Sequence, residues 1–160
     1  MAARIIVREA REGDEEAVAR LIARLKALNE ELDPHYKVVE NLEEVALEYA
    51  RNAIKAGDMR VIVAEDTATG EIVGVLVYRL VNRIFYKPEL KAQIVDFYVV
   101  PRYRGRRIGT LLIEKAEELA RQDGAGMLTV IYPSMNAIAE KFYSSKGFID
   151  LAVEKYKKII

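Results

Sequence analysis

The chain contains no cysteine. Disulfides, zinc–thiolate sites and a cysteine nucleophile are thereby excluded. Tryptophan is also absent, asparagine and glutamine are sparse, and charged residues make up 31% of the chain. That bias is compatible with a thermophilic source and equally with drift in a small protein. Neither sign of charge prevails: lysine plus arginine number 25, aspartate plus glutamate 25, and the formal net charge is zero. No basic excess argues for nucleic acid, and no polybasic tail argues for a membrane surface. No apolar stretch reaches the length of a transmembrane helix. The opening Met1-Ala2-Ala3-Arg4-Ile5-Ile6-Val7-Arg8-Glu9 carries charge too early for a signal peptide. These absences predict a soluble cytoplasmic protein without a nucleic-acid or membrane partner.

Two nucleotide-binding signatures are missing as well. The string Gly-x-x-x-x-Gly-Lys-Ser/Thr does not occur, nor does Gly-x-Gly-x-x-Gly, so ATP or NAD held in the usual loops is not expected. Linkers, repeats and low-complexity segments are lacking too, and the 160 residues read as one domain, 1–160, large enough to bury a core.

What is present is a series of short periodic segments. Ile5-Ile6-Val7 reads as a strand. Asp14 is placed as the cap of a helix with Val18, Leu21, Ile22 and Leu25 as its buried stripe, broken at Asp33-Pro34. Asn41, with Glu44 three residues on, suggests a second cap, for a helix burying Ala46, Tyr49, Ala50, Ala53 and Ile54 and ending at Gly57. Residues 60–65 and 72–81 read as strands joined by a turn at Thr69-Gly70. Residues 94–100 and 127–132 are almost wholly apolar, as central strands covered on both faces would be. Helices at 108–122 and 135–146 and a last strand or hairpin near 149–157 give the order β-α-α-β-β-β-α-β-α-β.

The most informative stretch is Asp96-Phe97-Tyr98-Val99-Val100-Pro101-Arg102-Tyr103-Arg104-Gly105-Arg106-Arg107-Ile108-Gly109. An apolar strand ends at Pro101, an arginine- and glycine-rich loop follows, and a helix begins at Ile108 with Leu111, Leu112, Ala116, Leu119 and Ala120 on one face. Unpartnered N–H groups at the helix start, the positive end of its dipole and the guanidinium groups of Arg102, Arg104, Arg106 and Arg107 together predict a phosphate cradle.

The string Arg104-Gly105-Arg106-Arg107-Ile108-Gly109 resembles the coenzyme A pyrophosphate loop of the GNAT superfamily of N-acetyltransferases, Gln/Arg-x-x-Gly-x-Gly/Ala. Arg104 matches the first position and Gly109 the last. Arg107 stands where the middle glycine belongs, and its side chain offers a phosphate ligand instead. A second segment, Asn136-Ala137-Ile138-Ala139-Glu140-Lys141-Phe142-Tyr143-Ser144-Ser145-Lys146-Gly147-Phe148, is similar to the C-terminal signature of the same superfamily, Asn-x-x-Ala-x-x-x-Tyr followed by Gly-Phe. The resemblance implies the GNAT fold: an α/β (α+β) architecture with a mixed, mostly antiparallel sheet flanked by helices.

Acetyl transfer to an amine sets the chemical demands. An alkylamine, with a pKa near ~10.4, must lose a proton before it attacks, the carbonyl oxygen needs a donor, and the leaving thiolate needs a proton. The resemblance implies acetyl-CoA as co-substrate, held by the backbone of Phe97, Tyr98 and Val99 along its pantetheine arm. It places the pyrophosphate on the N–H groups of Gly105, Arg106, Arg107, Ile108, Gly109 and Thr110. Asn136 would anchor the arm from the other wall, or cap the last helix. Tyr143 would act as general acid for the sulfur, or be a core residue. Gly147 suits a helix C-cap, and Arg102 a solvated site. No metal is required.

Asp96 is the only charge in its apolar run, costly unless paired or used. Val95-Asp96-Phe97-Tyr98-Val99 resembles the strand of spermidine/spermine N-acetyltransferases that carries a Glu-Asp pair, with Val95 in place of the glutamate. Strand alternation prevents Asp96 from taking over that position, so Asp96 is either a substrate contact or a buried structural pair. In this superfamily the acceptor side is built by the first two helices and the loop between the third and fourth strands. Those are Glu30, Glu31, Asp33, His35 and Tyr36, with Asn82 to Pro88. The acidic group attracts a polyamine or lysine, or is the solvated end of a helix.

The reading is therefore an acetyl-CoA-dependent N-acetyltransferase acting on a primary amine of a small molecule or polyamine by direct ternary-complex transfer. Acetylation of a protein N-terminus or lysine is the rival, and a non-catalytic acetyl-CoA-binding module is the alternative of another class. A homodimer is the assembly the resemblance implies.

Overall fold

The period-2 and run-apolar segments become five strands in the computed structural model, which describes residues 4–160: β1 (Ile5–Glu9), β2 (Met59–Asp66), β3 (Glu71–Asn82), β4 (Leu90–Val99) and β5 (Met127–Val130). The 3.6-period segments become α1 (Glu15–Leu32), α2 (Leu42–Lys55), α3 (Ile108–Gln122) and α4 (Ala137–Ser145). Met1-Ala2-Ala3, the start of the segment read against a signal peptide, lies outside the described residues. Strands follow the order β1-β2-β3-β4-β5, antiparallel except for the parallel β4–β5 pair. The mixed, mostly antiparallel α/β sheet expected from the sequence is thus present.

Strand parity assigns the faces. Asp96 is the register partner of Val77 and meets Lys26 of α1 and Tyr49 of α2. Gly74 lies three residues before Val77 in the same strand and packs on Ile108 and Leu112 of α3, on the opposite face. Helices α1 and α2 therefore cover one side of the sheet and α3 the other. The core between them is built from Val18, Leu21, Ile22, Ile62, Val63, Leu76, Tyr78, Ile94, Ile108 and Leu112.

Several local expectations are corrected. Asp14 and Asn41 do stand at the N-cap positions of α1 and α2, but neither side chain caps its helix. The Asp14 carboxylate instead takes Arg8 at 2.7 Å and the Arg11 N–H at 2.8 Å, since a guanidinium competes strongly for a carboxylate. Helix α2 ends at Lys55, before Gly57.

The strand near 127–132 is not a central one. β5 is four residues long, half-buried throughout, and pairs only with β4. The last strand or hairpin near 149–157 is not formed. Residues 149–160 carry no regular structure and are exposed, Ile149 and Val153 included. Alternating apolar residues make a strand only where a neighbour supplies backbone partners. This segment runs instead toward the α1–α2 connection, where the Tyr156 ring lies 4.6 Å from that of His35.

Candidate active site

Strand β4 carries an irregularity at its centre. Val77 pairs with Asp96 while Tyr78 pairs with Ile94, so Val95 is an extra, bulged residue. The parallel pairing with β5 stops at the same level, its last register partners being Ile94 and Val130, followed by an Ile131 N–H to Ile94 carbonyl bond of 3.1 Å. Beyond it the two strands part, and from Val95 to Val99 the β5-facing edge of β4 has no strand upon it. Alternation turns the backbone of Tyr98 to β3, where Val75 is its register partner, and brings the donors and acceptors of Phe97 and Val99 to that opening, save that the Val99 carbonyl accepts from Arg104 Nε at 3.1 Å.

An aromatic cluster floors the opening on the α3 side. Tyr143 of α4 is 4% exposed. Its ring stacks on Tyr132, 5.4 Å away, and meets Phe97, Phe142 and Phe148 edge-on at 6.0, 5.2 and 5.3 Å. It thereby touches both β4 and the segment leaving β5. Burial, and then the neighbouring Tyr132, push the Tyr143 phenol well above its ordinary value. Its hydroxyl has no hydrogen-bond partner among the described residues. Tyr132 bonds Glu140, which is the main cause of its own rise to about 12.

Past β4 the chain turns at Gly105, φ 81°, and Arg107, φ 61°. Arg107 is the N-cap of α3 in the left-handed conformation, the backbone shape a glycine would take at no steric cost. The N–H groups of Gly105, Arg106, Arg107, Ile108, Gly109 and Thr110 have no acceptor among the described residues, the first in-chain acceptance falling at Leu111. Six such donors at a helix N-terminus form an anion cradle. Gly109 gives the rings close access, since a Cβ there would stand 3.2 Å from Phe97 and from Phe142.

Charge around the cradle is more ordered than the sequence implied. The Arg104 and Arg106 guanidiniums lie over Tyr98 and Tyr103, at 5.5 and 5.0 Å. Arg102 is not merely solvated: it bonds both carboxylate oxygens of Glu71, at 2.6 and 2.5 Å. Lys146, which sequence reasoning passed over, brings its Nζ to 2.6 Å from Thr110 Oγ1. Asn136 caps α4, its Oδ1 accepting from Ala139 N–H at 3.0 Å, and Gly147 with φ 87° closes the same helix.

On the other face, Asp96 is 3% exposed. Its two oxygens accept from Lys26 Nζ at 2.6 Å and Tyr49 Oη at 2.7 Å. Burial, then Asp96 itself, hold the Tyr49 phenol far above its ordinary value. Tyr49 reads in the sequence as part of the apolar stripe of α2, and Lys26 carries no signal of its own there beyond following the buried Ile22 by one turn.

The proposed acceptor residues do not converge as a free acidic group. Glu30 accepts from the Val38 N–H at 2.7 Å, and Asp33 from the His35 N–H at 3.0 Å, with His35 Nδ1 2.8 Å away. Those bonds fix the α1–α2 connection. Glu31 and Tyr36 are exposed, as are Ile84, Phe85 and Tyr86 in the β3–β4 loop.

Known proteins share the fold. The chain is 32% identical over 154 residues to the thialysine N-epsilon-acetyltransferase of Bos taurus, covering 92% of this chain and 85% of that one. The tetramutant of the BH1408 protein from Bacillus halodurans superposes with a TM-score of 0.84 at 21% identity, over 96% of this chain and 99% of that chain. The aminoglycoside N-acetyltransferase AAC(6')-Iy in complex with CoA does so at 0.74 and 16% identity, over 99% and 97%. The model of the acetyltransferase (GNAT) family matches residues 25–148, a span holding the split strands, the anion cradle and the buried tyrosine. The chain is an N-acetyltransferase and belongs to that family.

Proposed function

We propose that the protein moves the acetyl group of acetyl-CoA to the primary amine of a small molecule or polyamine within one ternary complex. The observation carrying this is the meeting of three features at one break in the sheet. They are an open edge on β4, six free N–H groups beyond it, and the buried Tyr143 beneath. The residues suit acetyl-CoA: its diphosphate finds backbone donors and the cations Arg107 and Lys146, and its amide-bearing arm finds strand-like partners at Phe97 and Val99. Asn136 retains its amide N–H groups for the same arm.

The neutral amine nitrogen attacks the thioester carbonyl, the C–S bond breaks, and the thiolate takes a proton from Tyr143. The proton shed by the nitrogen as it becomes an amide passes to solvent, from which the tyrosinate recovers its own. A tyrosine whose pKa is raised stays protonated until that moment. Asp96 faces the α1–α2 side, from which the acceptor enters opposite to the diphosphate. Its near-complete covering by Lys26 and Tyr49 favours a slender primary amine over a polypeptide. The exposed apolar residues of 149–160 support self-association as a homodimer, which light scattering tests.

The deciding experiment measures thiol release from acetyl-CoA with polyamines, amino acids, thialysine, aminoglycosides and short peptides, each against an acceptor-free control. Release restricted to small amines is expected. Release with peptides alone would transfer the reading to protein acetylation, and release with none of the acceptors would overturn it.

A further inference from the structure

Asp96 is fully partnered by the protein itself, and one of the partners is an ammonium. The carboxylate is fixed in a strand and 3% exposed. The Lys26 ammonium holding it at 2.6 Å sits on a flexible stem whose side chain is 39% exposed. The anion is thus immobile while the cation has a route to solvent. Tyr49 completes the surround, its hydroxyl 2.7 Å from the second Asp96 oxygen.

We propose that Asp96 and Tyr49 form a primary-ammonium site, that Lys26 is its built-in occupant, and that the acceptor amine enters by displacing Lys26. This deepens the acetyl-transfer reading and rests on it for the identity of the displacing amine. The physical logic is that a bare carboxylate cannot be left buried, because removal of one partner of a buried pair is far more costly than exchange. An incoming R–NH₃⁺ offers three N–H donors, as Lys26 does. It matches the carboxylate that Lys26 would leave. A quaternary ammonium, with no N–H, cannot.

The test uses no acetyl-CoA, so it stands or falls apart from the transfer reaction. In the Lys26→Ala variant, millimolar propylammonium or putrescine should raise the melting temperature by several degrees over sodium chloride or tetramethylammonium of equal ionic strength. The shift should be small in the unaltered protein and vanish in Lys26→Ala/Asp96→Asn. A melting temperature insensitive to the amine, or equally sensitive in the double variant, overturns the proposal. Should Lys26→Ala not fold, lysine footprinting of the unaltered protein with an acetylating N-hydroxysuccinimide ester decides. Putrescine should raise the labelling rate of Lys26 several-fold while leaving Lys141 unchanged. An unchanged Lys26 rate overturns it. Amine-dependent release of Lys26 without any thiol release would retain the site and overturn the transfer reading alone.

Discussion

The ring of Tyr143 lies nearly flat on that of Tyr132, with 5.4 Å between centroids and 14° between planes. The stack holds the Tyr143 phenol where β4 and β5 part, and its packing does not depend on the hydroxyl. Tyr143→Phe should therefore change the unfolding free energy by no more than about 1 kcal/mol. It should lower kcat by ~10²-fold or more with acetyl-CoA affinity unchanged. Steady-state kinetics with urea unfolding checks both, and an unaltered kcat would remove Tyr143 from its role as acid.

The pH profile follows from the same residue. Because burial and Tyr132 raise the Tyr143 pKa, the acid form persists through neutral and moderately alkaline pH. Activity should rise with pH as the acceptor amine, with an ordinary value near ~10.4, is freed of its proton. No falling limb assigned to Tyr143 should appear below about pH 10. A loss of kcat near pH 8, absent from Tyr143→Phe, would contradict this.

Arg107 pays a conformational cost with φ 61°. A non-glycine residue in that region costs about 1–2 kcal/mol, while glycine loses about 0.5–1 kcal/mol more backbone entropy on folding. Arg107→Gly should then be neutral to about 1 kcal/mol more stable, whereas Arg107→Ala keeps the strain. Both should weaken CoA binding alike if the guanidinium holds phosphate. Urea unfolding and calorimetric titration of CoA separate the two effects.

Gly109 tests the aromatic floor. Its missing side chain lets Phe97 and Phe142 approach to 3.2 Å of where a Cβ would be. Gly109→Val should destabilise by about 1–3 kcal/mol through overpacking and weaken CoA binding as the rings move. Unchanged stability by thermal unfolding would show that the rings yield freely.

Asp123 governs acid stability away from the site. Arg60, at 2.5 Å, and the Tyr78 hydroxyl, at 2.6 Å, hold its carboxyl below the usual 3.8 against the opposing effect of burial. A depressed folded value means that the unfolded chain binds more protons in acid. The stabilisation is present above about pH 4 and is lost as pH falls through the folded value. Asp123→Asn should cost about 1–3 kcal/mol at neutral pH and make the acid limb shallower, as urea unfolding across a pH series would show.

Much of this protein was legible in the chain order alone. Helix and strand periods are local properties, so β2, β3, α1, α2 and α3 fall within a few residues of their expected places. The cradle was legible for the same reason: a strand, a glycine and a helix start within 14 residues of one another fix free N–H groups without help from elsewhere. Only the tertiary structure decided what depends on distant partners. Whether 149–157 pairs, whether β5 is central, and whether Glu30 and Asp33 are free or tied into a loop are all questions of which groups meet. Asp96 shows the distinction most plainly. Its burial could be inferred from an apolar run, but the lysine 70 residues away and the tyrosine 47 away that make the burial tolerable are joined to it only by folding.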